Sequence, residues 1–151
     1  MTESEVYQRA IECLQQRGAI VVCASPPGGT DLRFHRCMIR KGAERGPRDE
    51  IDIIAVYGHI CVLLECKDSV AHAKSARNRA GENDFEKLSR LASSLSIGKL
   101  QEHLAHCHGA YALVSASEIV AAVVVGIVDS EMDSINGVRV VSADALDTVF
   151  A

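Results

Sequence analysis

Two apolar runs, Ile53-Ile54-Ala55-Val56-Tyr57 and Ile60-Cys61-Val62-Leu63-Leu64, meet at Gly58-His59 and carry acids at their outer ends. Each run has the length of a strand, and glycine at the first central position of a two-residue loop suits a type II′ hairpin. Such a loop sets Tyr57 opposite Ile60, and counting outward sets Asp52 opposite Glu65. Directly opposed residues share a face, with Cβ atoms ~4.5–5.5 Å apart. Lys67 falls on that face too, two positions beyond Glu65. Two like charges facing each other between apolar runs destabilise a hairpin unless something neutralises them. A divalent cation held by both would do so. The pattern therefore predicts a metal site with an ammonium alongside.

The chain has 151 residues, the size of a single domain spanning 1–151, and 48% of them are hydrophobic, which excludes a disordered protein. Aromatics are scarce (three Tyr, three Phe, no Trp), whereas the aliphatic residues favoured by buried α/β sheets abound. No apolar run reaches membrane-spanning length, and Met1-Thr2-Glu3-Ser4 does not open a signal peptide. The expectation is a soluble, cytoplasmic protein without a membrane partner. Six cysteines occur without a CxxC pair and read as small buried hydrophobes in a reducing compartment. A net charge of −4 argues against general coating of nucleic acid but permits a local basic surface.

Residues 3–17 form an amphipathic pattern with Tyr7, Ala10, Ile11 and Leu14 as its stripe, Thr2 or Ser4 as cap and Gly18 as stop. Strands are expected over Ala19–Ala24 and Leu32–Ile39, with a turn at Ser25–Thr30 and a polar loop at Lys41–Arg48. After the hairpin, Ser69–Asn83 reads as a mobile connection or frayed helix. A helix then starts at Asp84, with Phe85, Leu88, Leu91, Ala92 and Leu95 inward, and breaks at Ser96-Ile97-Gly98 before Lys99–Cys107. Ala110–Ser115 reads as a strand. Ile119–Val128 is β-branched, yet Val120, Val124, Ile127 and Glu131 keep helical spacing, and alternation of elements favours a helix there. Val138–Val141 is a strand and Asp144–Phe150 a short terminal helix.

Phosphodiester hydrolysis needs a hard cation on oxygen ligands, an activated water, and positive charge near the phosphate. Asp52 and Glu65 supply carboxylates, the Cys66 carbonyl adds an oxygen, and Lys67 orients or deprotonates the water. Glu3 or Glu5, from the first helix, can hold a second ion or a metal-bound water. Lys74, Arg77, Arg79, Lys87 and Arg90 are placed to track a phosphate backbone, as positioning contacts or simply as a solvated face.

The order helix acid, strand, strand, Asp52, hairpin, Glu65-x-Lys67, helix, strand resembles the PD-(D/E)xK nuclease superfamily. The resemblance implies an α/β, restriction-endonuclease-like three-layer fold, with a mixed central sheet flanked by helices. It further implies cleavage of DNA or RNA with Mg²⁺ or Mn²⁺. Asp52 matches the first acid, Glu65 the second and Lys67 the lysine, while Ile51 stands where the family carries proline. Glu5 matches the helix acid, with Tyr7 and Ile11 at the family's apolar spacing; Glu3 is the alternative. Glu50-Ile51-Asp52-Ile53-Ile54, Leu63-Leu64-Glu65-Cys66-Lys67-Asp68, Lys87-Leu88-Ser89-Arg90-Leu91 and Tyr111-Ala112-Leu113-Val114-Ser115 are similar to the nuclease half of CRISPR-ancillary sensor–nuclease proteins. Dimers are common in the superfamily, so the resemblance admits a homodimer.

On this reading Asp49, Glu50 and Asp68 are bystanders. His103, His106, Cys107 and His108 gather at a helix end, where imidazoles complement the helix dipole, and no second pair is spaced to complete a tetrahedral metal site. Cys66 points away from Glu65 and Lys67 and is not expected to act as a nucleophile. Two other classes of protein fit the same residues. One is a catalytically silent nucleic-acid-binding or assembly module on the same fold. The other is an interaction subunit that docks through Ile119–Val128.

Overall fold

A computed structural model describes residues 1–40, 48–126 and 134–150. The chain runs α1 (Glu3–Arg17), β1 (Ile20–Ala24), β2 (Cys37–Arg40), β3 (Arg48–Ile51), β4 (Ile53–Tyr57), β5 (Ile60–Lys67), α2 (Val70–Ser75), α3 (Asp84–Ser94) and α4 (Ile97–His103). A 3₁₀ helix (His108–Ser115), β6 (Glu118–Val125), β7 (Ser134–Ile135), β8 (Val138–Ser142) and a second 3₁₀ helix (Ala143–Phe150) complete it. The protein is α/β, with a mixed six-stranded sheet ordered β1-β4-β5-β6-β8-β7 and a separate β2-β3 ribbon. β5, β6 and β8 are parallel neighbours, whereas β1, β4 and β5 pair antiparallel.

The hairpin register is the expected one: Tyr57 faces Ile60 and Ile53 faces Leu64. Gly58 has φ 61°, and Asn136 is the only described non-glycine residue with positive φ, so the turn has the II′ arrangement. Alternation along β5 then divides the molecule. Ile60, Val62, Leu64 and Cys66 face α1 and the C-terminal 3₁₀ helix, while Cys61 and Leu63 face α3, α4 and the ribbon. Glu65 and Lys67 continue the second series, so they point toward α3.

Helix α1 begins with a reciprocal capping box between Thr2 and Glu5 and ends at Gly18, whose φ of 86° is the left-handed stop. Asn83 and Glu86 form a second capping box that fixes the start of α3. The segment 69–83, expected to be mobile or frayed, holds a short helix and a tied loop. Asn78 Oδ1 accepts from the N–H groups of Ala80 and Glu82, and Arg77 donates to the Gly81 carbonyl at 2.7 Å.

Three expectations fail, each for a physical reason. The described part of Ile119–Val128 is a strand and not a helix: Glu118–Val125 is a central parallel strand, with Ala121, Val123 and Val125 in one core and Ala122 and Val124 in the other. A strand buried on both faces loses the two-residue alternation that would identify it. Ile127 and Glu131, which completed the helical spacing, lie outside the described residues. Ala110–Ser115 is 3₁₀-helical because the preceding Gly109 lies against β1; a Cβ there would stand 2.6 Å from the Val21 carbonyl oxygen. Finally, the strand expected over Leu32–Ile39 shrinks to Cys37–Arg40. Asp31 holds 31–34 in a turn, accepting from the Arg33 and Phe34 N–H groups, and leaves Leu32 99% exposed. Of the polar loop expected at Lys41–Arg48, residues 41–47 lie outside the described residues and Arg48 begins β3. No described helix is long and apolar enough to cross a membrane.

Candidate functional site

The sheet is interrupted at Asp52, a bend between β3 and β4. The interruption turns Ile51 into the same core as Ile54, so β3 leaves the sheet and covers its α3 side. Asp52 is held at the corner by backbone: its Oδ2 accepts the Cys66 N–H at 2.7 Å, and its carbonyl accepts the Ser25 N–H at 2.7 Å. Cys66 thus enters the site through its main chain, while its side chain is buried in the opposite core.

Glu65, only 5% exposed, hydrogen-bonds Asp52 side chain to side chain. Burial, then the Glu65 charge, pushes the Asp52 carboxyl well above the ordinary carboxylate range; the Cys66 N–H opposes the shift without overcoming it. The two acids therefore face each other as the register demanded, with Asp52 favouring its neutral form. Glu65 Oε1 also accepts from the Lys87 ammonium, which is bonded in turn to the Glu50 carbonyl.

Lys67 stands one step toward the rim. Its Nζ lies 3.5 Å from Glu3 Oε1 and 3.8 Å from Asp84 Oδ2. Burial works against the ammonium, but the charges of Asp84, Glu3, Asp52 and Glu65 outweigh it, and its pKa is raised. Lys87 behaves alike: burial opposes its charge, and Glu65 above all restores it. Burial and the Glu65 charge lift Asp84 to about 6, and its Oδ2 is buried without a hydrogen-bond partner. Such an orphaned acceptor is costly unless a cation or donor fills it.

The acid from the first helix is Glu3. Glu5, the better match by spacing, is exposed and occupied in the Thr2 capping box, because the third residue of a helix points back toward its own cap. Asp68, expected to be a bystander, accepts from the His72 Nδ1–H at 2.8 Å, with Glu3 Oε1 3.2 Å from the same nitrogen. Glu50 pairs with Arg36 at 2.6 Å, and Asp49 with Arg90 at 3.0 Å.

The expected basic track divides. Arg90 bridges Asp49 and Glu82, and Arg77 binds Glu86 and the Gly81 carbonyl, so both guanidinium groups are spent on internal partners. Lys87 belongs to the acid cluster. Lys74 and Arg79 are exposed, and Arg79 lines, with Arg48, Asn78 and Lys87, a cleft of about 580 Å³ beside Glu50.

Asp84, Lys87 and His72 are the members that sequence reasoning missed. Asp84 and Lys87 are three apart on α3 and so share its sheet-facing side, a signal visible once the direction of Glu65 was known. His72 lies four residues after Asp68, at helical spacing, but nothing in the sequence ties that pair to Glu3. Three of the histidines outside the cluster meet one another: His35 contacts His108 and His106 edge-on, with centroids 4.9 and 5.6 Å away. All six cysteines are free thiols. Burial pushes Cys66 well above its ordinary value, in line with the expectation that it is no nucleophile.

No protein-family model, curated protein or solved structure matches the chain.

Proposed function

We propose that the chain is a metal-dependent nuclease of the PD-(D/E)xK type on a restriction-endonuclease-like sheet, hydrolysing phosphodiester bonds in DNA or RNA. One observation carries the reading: the hairpin sets Asp52 and Glu65 side by side at the end of β4 and β5, with Lys67 next on the same face. The donor set fits a hard divalent ion such as Mg²⁺ or Mn²⁺. It consists of oxygen ligands, two buried acids that repel each other when ionised, and a third acid, Asp84, with an unsatisfied buried oxygen. Asp52 and Glu65 would hold the ion, with the Cys66 carbonyl at the same strand end. A bound ion of this kind supplies Lewis acidity and a lowered pKa for its water.

The side chains supply the rest. Burial holds Asp52 toward its neutral form, so loading, which needs it ionised, is favoured as pH rises. Lys67, kept protonated by the acids around it, orients the water and carries positive charge toward the attacked phosphate; neutralising those acids would free it to accept a proton. Glu3 positions Lys67. Arg79, Arg48 and Lys87 line the cleft that leads to Glu65 and offer the charge a nucleic-acid backbone needs.

The test is cleavage of single- and double-stranded DNA and RNA by the purified chain with Mg²⁺ or Mn²⁺. Asp52→Ala and Lys67→Ala should abolish turnover while the circular dichroism spectrum stays native. Absence of cleavage on every substrate, together with no calorimetric binding of either cation, would sink the proposal.

One observation favours a second reading, the catalytically silent nucleic-acid-binding or assembly module. Lys87 already pairs with Glu65, and Asp52 favours its neutral form, so the pair can stand without a cation. A silent module would bind nucleic acid without any cation at the hairpin.

A further inference from the structure

We infer that Glu3, Asp68 and His72 form a second metal site, at the rim of the cleft, for a divalent first-row transition ion. This site is separate from the Asp52–Glu65 pair and does not depend on the nuclease reading. One ligand atom from each residue lies within 4.8 Å of the other two. His72 Nδ1 stands 2.8 Å from Asp68 Oδ1 and 3.2 Å from Glu3 Oε1. Ligand atoms ~2.0–2.2 Å from a common ion sit roughly 3 Å or a little more from one another, so small side-chain movements convert this trio into a coordination set. A neutral imidazole has a single N–H and cannot serve two carboxylates well from one nitrogen; an ion between the three would serve all of them.

The ligands come from three separately anchored places. Glu3 is in the first turn of α1, fixed by the Thr2 cap, and Asp68 directly follows β5. His72 is set in α2 by its own N–H, which donates to the capping Ser69 Oγ at 3.1 Å. The surroundings carry an excess of negative charge: one ammonium, that of Lys67, faces both Glu3 and Asp84, whose Oδ2 is buried without a hydrogen bond. Side-chain exposures of 26% for Glu3, 46% for Asp68 and 43% for His72 leave room for water ligands and for exchange. Two carboxylates with one imidazole suit Mn²⁺ or Zn²⁺ and disfavour Mg²⁺, which prefers oxygen alone. Because Glu3 also faces Lys67, filling this site draws negative charge away from Lys67 and couples the rim to the inner cluster.

The measurement is pulsed electron paramagnetic resonance of the full chain with Mn²⁺, which avoids the thiols and reports nitrogen ligands through their hyperfine coupling. The wild type should show imidazole nitrogen coupling. His72→Gln should remove it and weaken Mn²⁺ binding at that site about tenfold or more, whereas Asp52→Asn should leave it intact. Should His72→Gln fail to fold, Asp68→Asn carries the expectation of weaker binding at the nitrogen-coupled site. Absence of nitrogen coupling in the wild type at saturating Mn²⁺ overturns the inference, as does coupling that survives in His72→Gln. Nitrogen coupling in a protein that cleaves nothing would leave this site standing while the nuclease reading fell. Cleavage without nitrogen coupling would do the reverse.

Discussion

Two charged networks lie on the same side of the sheet, and they are built on opposite principles. Around Arg90 every group is matched. Its guanidinium grips both oxygens of the buried Asp49 at 3.0 Å and turns to Glu82 at 2.8 and 2.9 Å. Around Glu65 the acids outnumber the ammoniums. Asp52 is pushed toward its neutral form by burial and its neighbour, Asp84 Oδ2 is buried without a hydrogen bond, and two lysines are divided among four carboxylates. The first arrangement holds an edge of the molecule in place. The second leaves its acids short of positive charge, the shortfall that the proposed cation would make good.

The contrast can be broken first from the matched side. Arg90→Ala takes the guanidinium away from both the buried Asp49 and Glu82 and should lower stability by about 2–3 kcal/mol in urea unfolding. Asp52→Asn makes the opposite expectation: the fold keeps its stability or gains a little, while any Mg²⁺- or Mn²⁺-dependent turnover falls by about a hundredfold or more. If both variants lose stability equally, the two networks do not differ in kind.

A third comparison uses pH. The folded state holds Asp84's proton up to about 6, against the ordinary value of 3.8, so between those values it binds more protons than the unfolded chain. Stability should therefore be greatest at the acid end of that window and fall as pH rises through it. Asp84→Asn keeps the group neutral at every pH, so it should flatten that part of the profile and stabilise the protein at pH 7 by about 1–2 kcal/mol. Asp52 shifts in the same direction and keeps its own contribution in the variant. Thermal melts from pH 4 to 7 read the difference. The smallest effect separates the two helix acids. Glu5→Ala loses half a capping box and should cost about 0.5–1 kcal/mol with turnover unchanged, whereas Glu3→Gln should alter turnover with little change in stability.

What the sequence revealed and concealed follows from range. The hairpin is local, so a turn type and a count by twos brought Asp52, Glu65 and Lys67 together without any tertiary information. Helix α1 was legible from its cap, stripe and Gly18 for the same reason. Asp84, Lys87 and His72 were hidden because they join the cluster only through the packing of α2 and α3 on the sheet, which no local period encodes. Glu5 was preferred to Glu3 because apolar spacing identifies a helix face but not how far a side chain reaches beyond its end. Strand β6 was misread because complete burial erases alternation, and the 3₁₀ segment after Gly109 because its shape is imposed by β1.

That contact at Gly109 has a further consequence for assembly. An outer strand of a sheet is ordinarily a template on which a second chain can lay a strand of its own. Here the 3₁₀ helix His108–Ser115 lies against β1, and Val21 to Ala24 are buried. The flank at β1 is closed to growth by strand addition, and at the opposite flank β7 spans two residues. Two copies of this chain cannot form one continuous sheet through β1. A dimer, where one forms, has to use some other part of the surface.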